Sequence, residues 1–216
     1  MKDKPWLITK SNPVKVFGFF TSLKKDLFSH RGIYEYIESV FRETPGYLGR
    51  YFRYRIVSHF FAAAGKSIMI DPGNRFKFPY KIRLGDNVGI ASGCMFQAGG
   101  GIEIGENTIF GPGVKIWTVN HLFKDLEIPI LQQGFEGKPV VIGADCWIGA
   151  DSFIKPGTVI PEGCVVFPKS VVGKMFIKPY SVLSGNPAKV VGPRSRIGAF
   201  MGWGSGLKKE KEPDAG

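Results

Sequence analysis

The chain has 216 residues, 44% of them apolar, with 29 Gly, 15 Pro and a formal charge of +11. No stretch of about 18 uninterrupted apolar residues occurs, which excludes a hydropathic membrane-spanning helix, and the Gly and Pro content favours many short strands and tight turns over long helices. The run Val16-Phe17-Gly18-Phe19-Phe20 is too short for a signal peptide and no small-residue cleavage site follows it, so a cytoplasmic location is expected.

Residues 1–64 form a basic, partly helical segment. The first 60 carry 11 Lys/Arg against 5 Asp/Glu, over half of the chain's excess charge. Ile33, Ile37, Val40 and Phe41 recur at helical spacing, and Arg50 through Ala64 is a second helical candidate. The stretch Arg50-Tyr51-Phe52-Arg53-Tyr54-Arg55 is basic and aromatic. Such a surface suits an anionic membrane face or another polyanion, and equally a merely solvated surface.

From residue 65 to 191 the sequence repeats every six positions. Apolar residues fall at Ile70, Phe76 and Ile82; at Leu84, Ile90, Phe96 and Ile102; at Ile104, Phe110, Ile116 and Leu122; and at Ile142, Ile148, Ile154, Ile160, Val166 and Val172. The next residue is Gly or Ala after Leu84, Ile90, Ile104, Phe110, Ile142, Ile148 and Val172. Corner residues intervene, as in Gly85-Asp86-Asn87, Pro112-Gly113 and Pro156-Gly157. Period six fits neither an amphipathic helix nor a heptad coil. It fits a short strand plus a corner, three to a turn, with the apolar residue pointing inward and stacking on the turn below. Cys94, Cys146 and Cys164 share one slot of this frame, where Thr and Ser otherwise sit, and are expected to be buried fillers.

The register breaks over residues 122–138 and resumes at Val140, which marks a loop extruded from the coil. His121 stands at the break. The other two histidines, His30 and His59, lie among aromatic residues of the N-terminal part and are expected to be structural or surface groups. Function concentrates on loops held by rigid scaffolds. After Val191 a tail, residues 192–216, begins with Gly192-Pro193, and Ser205 onward is polar and expected to be disordered.

Three stretches now carry a resemblance. They are Asn120-His121 with Phe123, Asp125, Pro129-Ile130 and Gln133-Gly134; Pro139 to Gly143 running into Trp147-Ile148-Gly149-Ala150; and Ser184-Gly185-Asn186-Pro187-Ala188-Lys189. The sequence resembles the hexapeptide-repeat acyltransferases, most nearly the branch that O-acetylates sugars of surface polysaccharides. The resemblance implies a left-handed parallel β-helix, a homotrimer, and acetyl-coenzyme A lying between subunits, with the extruded loop folding toward a neighbour. It implies His121 as general base, with Asn120 shaping the site. Trp147, Gly149 and Ala150 match the turn lining the coenzyme groove, and Lys189, with Lys174, matches basic positions near the coenzyme phosphates. Pro168 falls where relatives offer a backbone N–H that proline lacks. Asp125 and Gln133 are the positions expected at the acceptor. Gly93 and Gly99-Gly100-Gly101 replace polar acceptor contacts of the galactoside-modifying relatives, which argues against the same acceptor.

Acetyl transfer to a hydroxyl needs a base, an oxyanion donor and alignment. Imidazole is a natural base near neutral pH, and no Ser or Cys has the surroundings of an activated nucleophile. Direct attack is therefore expected. A hexapeptide carbonic anhydrase needs three metal-binding His, so no metal is expected. No phosphate-binding loop of the Gly-x-x-x-x-Gly-Lys-Ser/Thr type occurs, and nucleic-acid binding would rest on charge alone. An amino-sugar or nucleotide-sugar N-acetyltransferase and a non-catalytic β-helix scaffold stay open. The acceptor expected from the resemblance is a sugar hydroxyl, and the basic, aromatic stretch around Arg50 to Arg55 adds the expectation of a lipid-linked glycan at the inner face of the membrane.

Overall fold

The structure is a computed structural model and describes residues 18–200. Three parallel sheets wall a triangular β-helix of about six turns. The first face stacks Ala63–Ala64, Ile82–Leu84, Ile102–Ile104, Val140–Ile142 and Val159–Ile160. The second stacks Met69–Ile70, Gly89–Ile90, Ile109–Phe110, Trp147–Ile148, Val165–Val166 and Ser181–Gly185. The third stacks Arg75–Lys77, Met95–Gln97, Lys115–Trp117, Phe153–Ile154 and Val171–Val172.

The rungs are in register, so each six-residue apolar position lies on its equivalent one turn away. Leu84, Ile104, Ile142 and Ile160 form one stack, Ile70, Ile90, Phe110, Ile148, Val166 and Leu183 another, and Phe76, Phe96, Ile116, Ile154 and Val172 the third. All are buried, each contributing about 1.5–3 kcal/mol from leaving water. Phe76, Phe96 and Phe110 meet edge to face at 5.6 and 5.2 Å between ring centres. Corners between the first and second faces hold Asn87, Asn107 and Asp145 at φ of 56°, 57° and 54°, a left-handed backbone that Asn and Asp tolerate best among side-chain-bearing residues.

The three cysteines are buried and unpaired. Burial pushes the Cys94 thiol up to about 12 and Cys146 up to about 11, so neither carries appreciable thiolate at neutral pH.

The N-terminal part wraps this prism with α1 (Phe19–Phe28), α2 (His30–Arg42) and α3 (Gly46–Phe52). Ser29 caps α2, its side chain accepting from the Gly32 N–H. The helix expected over Arg50 to Ala64 is broken. Only α3 is regular; a π turn Arg53–Val57 and a 3-10 turn Ser58–Phe60 follow. Ala63–Ala64 already pairs with Arg83–Leu84, because the first solenoid edge draws in any extended chain that can satisfy it.

Arg53 departs furthest from its expected place on a basic surface. It is 2% exposed. Its Nε donates to Ile70 O at 2.8 Å, and Nη1 donates to the carbonyls of Thr44, Phe41 and Arg42 at 2.7, 3.0 and 3.4 Å. The guanidinium thus satisfies carbonyls left open where α2 ends. Arg50 is bound to Asp71 at 2.8 Å, so Arg55 is the exposed cation of that stretch that remains.

Two further expectations change. Leu122 is not an inward position: the third apolar series ends at Ile116, and Leu122 donates its N–H to Gly134 O outside the coil. A six-residue step cannot tell an interior apolar residue from one on a projecting ribbon. The tail drawn from residue 192 is structured at its start. Ala188–Pro193 pairs antiparallel with Ser181–Gly185 and covers the last open edge, and α5 (Arg194–Phe200) follows. The segment from Ser205 lies outside the described residues.

Replacing Arg53 with Met should lower unfolding free energy by about 3 kcal/mol, because several buried carbonyls lose their donor together. Urea denaturation of wild type and variant measures it.

Candidate active site

His121 is positioned by a ribbon that leaves the edge between the third and first faces. Val119–His121 pairs antiparallel with Phe135–Gly137, setting His121 opposite Phe135 and Asn120 opposite Glu136. The excursion therefore starts three residues before the expected loop 122–138. The His121 ring lies 4.2 Å from that of Phe135, tilted by 45°. His121 and Asn120 are both exposed. Neither side chain has a hydrogen-bond partner among the described residues, so the imidazole rests on an aromatic face with both nitrogens open. Phe135 carried no sequence signal, because its register follows from the hairpin alone.

The ribbon tip is braced from within. Gln133 Oε1 accepts from the Asp125 N–H at 3.1 Å, and its Nε2 donates to Asp125 O and Ile128 O, both at 2.7 Å. The Asp125 carboxylate accepts from the Glu127 N–H at 2.9 Å. The two residues expected at the acceptor are thus engaged in holding the loop's own shape. Outward, the tip exposes Phe123, Leu126, Ile130 and Leu131, with Leu126 93% exposed.

The positions expected to line the coenzyme groove lie on a different edge, between the second and third faces. A ladder of hydrogen bonds runs along it: Gly93 N to Pro72 O, Gly113 N to Ser92 O, Asp151 N to Pro112 O and Lys169 N to Ala150 O, at 2.8–3.1 Å. Pro72, Ser92, Pro112, Ala150 and Pro168 therefore form one column. Their own backbone nitrogens take no part in the ladder. Proline costs nothing there, and the N–H groups of Ser92 and Ala150 have no partner among the described residues. Gly149 packs so tightly beneath Pro168 that a Cβ would come within 2.5 Å of Pro168 N. Trp147 is half-buried in the rung between Ile109 and Val165.

Lys174 and Lys189 are exposed. Lys174 follows Val172 on the ribbon's edge, whereas Lys189 sits on the covering strand opposite Ser184. Within one chain the ribbon and the Ala150–Pro168 column are therefore separated by the whole third face. A shallow cleft lies away from both, on the first face around Arg83 and Glu103, and a second lies beneath α3 at the N-terminal end of the column, where Pro72 and Ser92 line it. No group of three or more His, Cys, Asp or Glu that could hold a metal ion occurs among the described residues.

No protein-family model matches the chain. A protein of Escherichia coli named as a colanic acid biosynthesis acetyltransferase, WcaF, is 31% identical over 157 residues, covering 72% of this chain and 82% of its own. A Staphylococcus aureus protein named as an acetyltransferase is 34% identical over 140 residues, covering 64% of this chain and 68% of its own. Among solved structures, a maltose O-acetyltransferase from Clostridium difficile superposes with TM-score 0.68 at 31% identity, over 76% of this chain and 85% of its own. A galactoside acetyltransferase in complex with coenzyme A, at 22% identity and TM-score 0.70 over 78% of this chain and 82% of its own, shares the fold, a left-handed parallel β-helix.

Gly149→Ala should force the turns apart at the Pro168 level and lower stability by about 2 kcal/mol, since the obstacle is backbone and cannot rotate away. Thermal denaturation of the two proteins tests this.

Proposed function

The chain belongs to the hexapeptide-repeat acyltransferase superfamily and is an acetyltransferase, and from that premise we propose that it moves an acetyl group from acetyl-coenzyme A to a sugar hydroxyl, with His121 as general base. One observation carries the reading: an imidazole without hydrogen-bond partners among the described residues sits on a ribbon projecting from one prism edge. The acceptor oxygen attacks the thioester carbonyl while an imidazole nitrogen takes its proton. The tetrahedral intermediate then collapses, expelling coenzyme A thiolate, which regains the proton from the imidazolium. Oxygen rather than nitrogen as acceptor is supported by the likeness to a maltose O-acetyltransferase, and a polysaccharide acceptor by that to WcaF.

The assembly in this reading is a homotrimer. The ribbon and the Ala150 column stand on different edges of one chain, so one copy supplies His121 and Asn120 and the next supplies Trp147, Gly149 and Ala150. The unpartnered N–H of Ala150 suits an amide carbonyl of the coenzyme's pantetheine arm, which accepts hydrogen bonds along its length. Pro168 offers shape alone. Lys189 and Lys174 supply cations for the coenzyme phosphates. The exposed apolar tip of the ribbon gives the neighbouring copy a surface to cover.

His121→Ala should reduce acetyl transfer by about a thousand-fold and leave coenzyme A binding within about twofold of wild type. Turnover assays and calorimetry read the two quantities separately. A variant that keeps its turnover would refute the assignment.

The same reading puts the protein in the cytoplasm, at the inner face of the membrane. Among the described residues no helix is long and apolar enough to cross a bilayer. Support comes from α1 and α2, which expose Leu27, Phe28, Ile33, Tyr36 and Val40, in a segment of net positive charge. Co-sedimentation with phosphatidylserine vesicles at low salt should succeed, and should fail with neutral vesicles. Equal recovery with both would remove the contact.

A further inference from the structure

A cleft of about 410 Å3 opens between α3 and the N-terminal end of the Ala150 column, lined by Tyr47, Arg50, Arg53, Asp71, Pro72 and Ser92 among others. Its walls are unusually rich in uncommitted donors. Arg53 is 2% exposed, and its Nη2 is buried with no hydrogen-bond partner among the described residues. Arg50 grips Asp71 through Nε alone at 2.8 Å, so both of its Nη groups lack partners among the described residues. Ser92 has neither its hydroxyl nor its N–H engaged among the described residues. Two guanidinium groups thus line a cleft with one carboxylate, which is already bound to Arg50. Leaving a buried cationic donor unmatched is costly, and a guanidinium with two free nitrogens suits a carboxylate or phosphate in bidentate fashion.

The cleft also adjoins the column proposed to line the coenzyme. Ser92, Pro112 and Ala150 are consecutive levels of one column, so Ser92 lies about 10 Å from Ala150 along the edge, at two rung spacings. That separation is spanned by one or two sugar rings.

We propose that this cleft binds an anionic oxygen group, carboxylate or phosphate, of the acceptor, so that the enzyme acts on an acidic sugar with Arg50 as a specificity-determining residue. The inference rests on the acetyl transfer proposed above and names the class of acceptor. Asp71 holds Arg50 by one nitrogen, and the outer edge of the guanidinium meets the anion. Ser92 adds its hydroxyl and N–H, and Arg53 supplies buried positive charge behind them.

The test uses the full-length protein and three small probes, methyl glucuronide, glucose 1-phosphate and methyl glucoside, titrated by calorimetry or ligand-observed NMR. At least one acidic probe should bind about tenfold or more tightly than the neutral glucoside, and the tighter of the two identifies carboxylate or phosphate as the source. Arg50→Gln should abolish that preference without changing coenzyme A affinity. Asp71→Asn, which removes the competing carboxylate, should strengthen acidic binding. Equal binding of all three probes, no binding of any, or a preference that survives Arg50→Gln overturns the proposal. Weakening by Asp71→Asn as large as that by Arg50→Gln also overturns it, since the pair would then be only a brace. Acidic binding through Arg50 in a protein that fails to bind coenzyme A would sink acetyl transfer and leave the cleft standing; the reverse would sink the cleft alone.

Discussion

Each turn of the prism has unpaired strand edges until the next turn covers them, and this in-register pairing is the constraint on which the site depends. An insertion is tolerated only if the chain leaves one rung and rejoins at the next. Lys138 N donates to Thr118 O at 2.8 Å, and Val140 N to Gly101 O at 3.1 Å, so the ladder closes under the ribbon. Gly100 lies directly beneath that closure. A Cβ there would come within 2.6 Å of Thr118 O and 2.7 Å of Lys138 N, so the close approach requires glycine. His121 is only three residues from Thr118. Its position is thus fixed by backbone pairing rather than by a packed side chain, which suits the base role proposed for it.

The same constraint separates the two parts of the proposed site. A triangular coil assigns every six-residue unit to one face and one edge, so residues at different edges cannot approach however the side chains turn. The ribbon and the Ala150 column are held apart in this way, and the third face between them is filled by Phe76, Phe96, Ile116, Ile154 and Val172 on its inner side. A cleft needing both edges must come from two copies. An interface that joins unlike edges is heterologous, and such interfaces close into rings when the rotation allows. A three-sided prism with a projecting apolar tip fits a three-membered ring, in which each copy is donor and recipient of a ribbon once.

Periodicity in the sequence was legible because each inward position has one requirement, an apolar side chain that stacks on its equivalent. Ile142 to Val172 obey it without interruption, and the rungs confirm that spacing. Leu122 shows the limit: it is apolar at the correct step, yet lies on the ribbon. Position along the sequence carries no record of where a hairpin begins, because antiparallel pairing there depends on residues 14 apart, His121 and Phe135. Gln133 shows a different limit. Its amide could meet an acceptor or the loop's own carbonyls, and only the folded loop decides for the latter. Ala150 was legible as a motif residue, but its open N–H was not, since that follows from which neighbour completes the corner ladder.

Charge was the least legible property, and its redistribution reshapes the functional reading. In sequence, Arg50, Arg53 and Arg55 look equivalent, three cations among aromatics. Folding gives them three environments: one bound to Asp71 through Nε, one buried among carbonyls, one in solvent. A surface patch attracts polyanions without selectivity and weakens with salt. Two guanidinium groups lining one cleft, as in the acceptor site proposed above, would discriminate by geometry as well as charge. The exposed aromatic and aliphatic residues of α1 and α2 lie on elements apart from the Arg50–Arg53 cleft. The proposed membrane contact and the proposed acceptor cleft therefore fall on separate parts of one N-terminal segment.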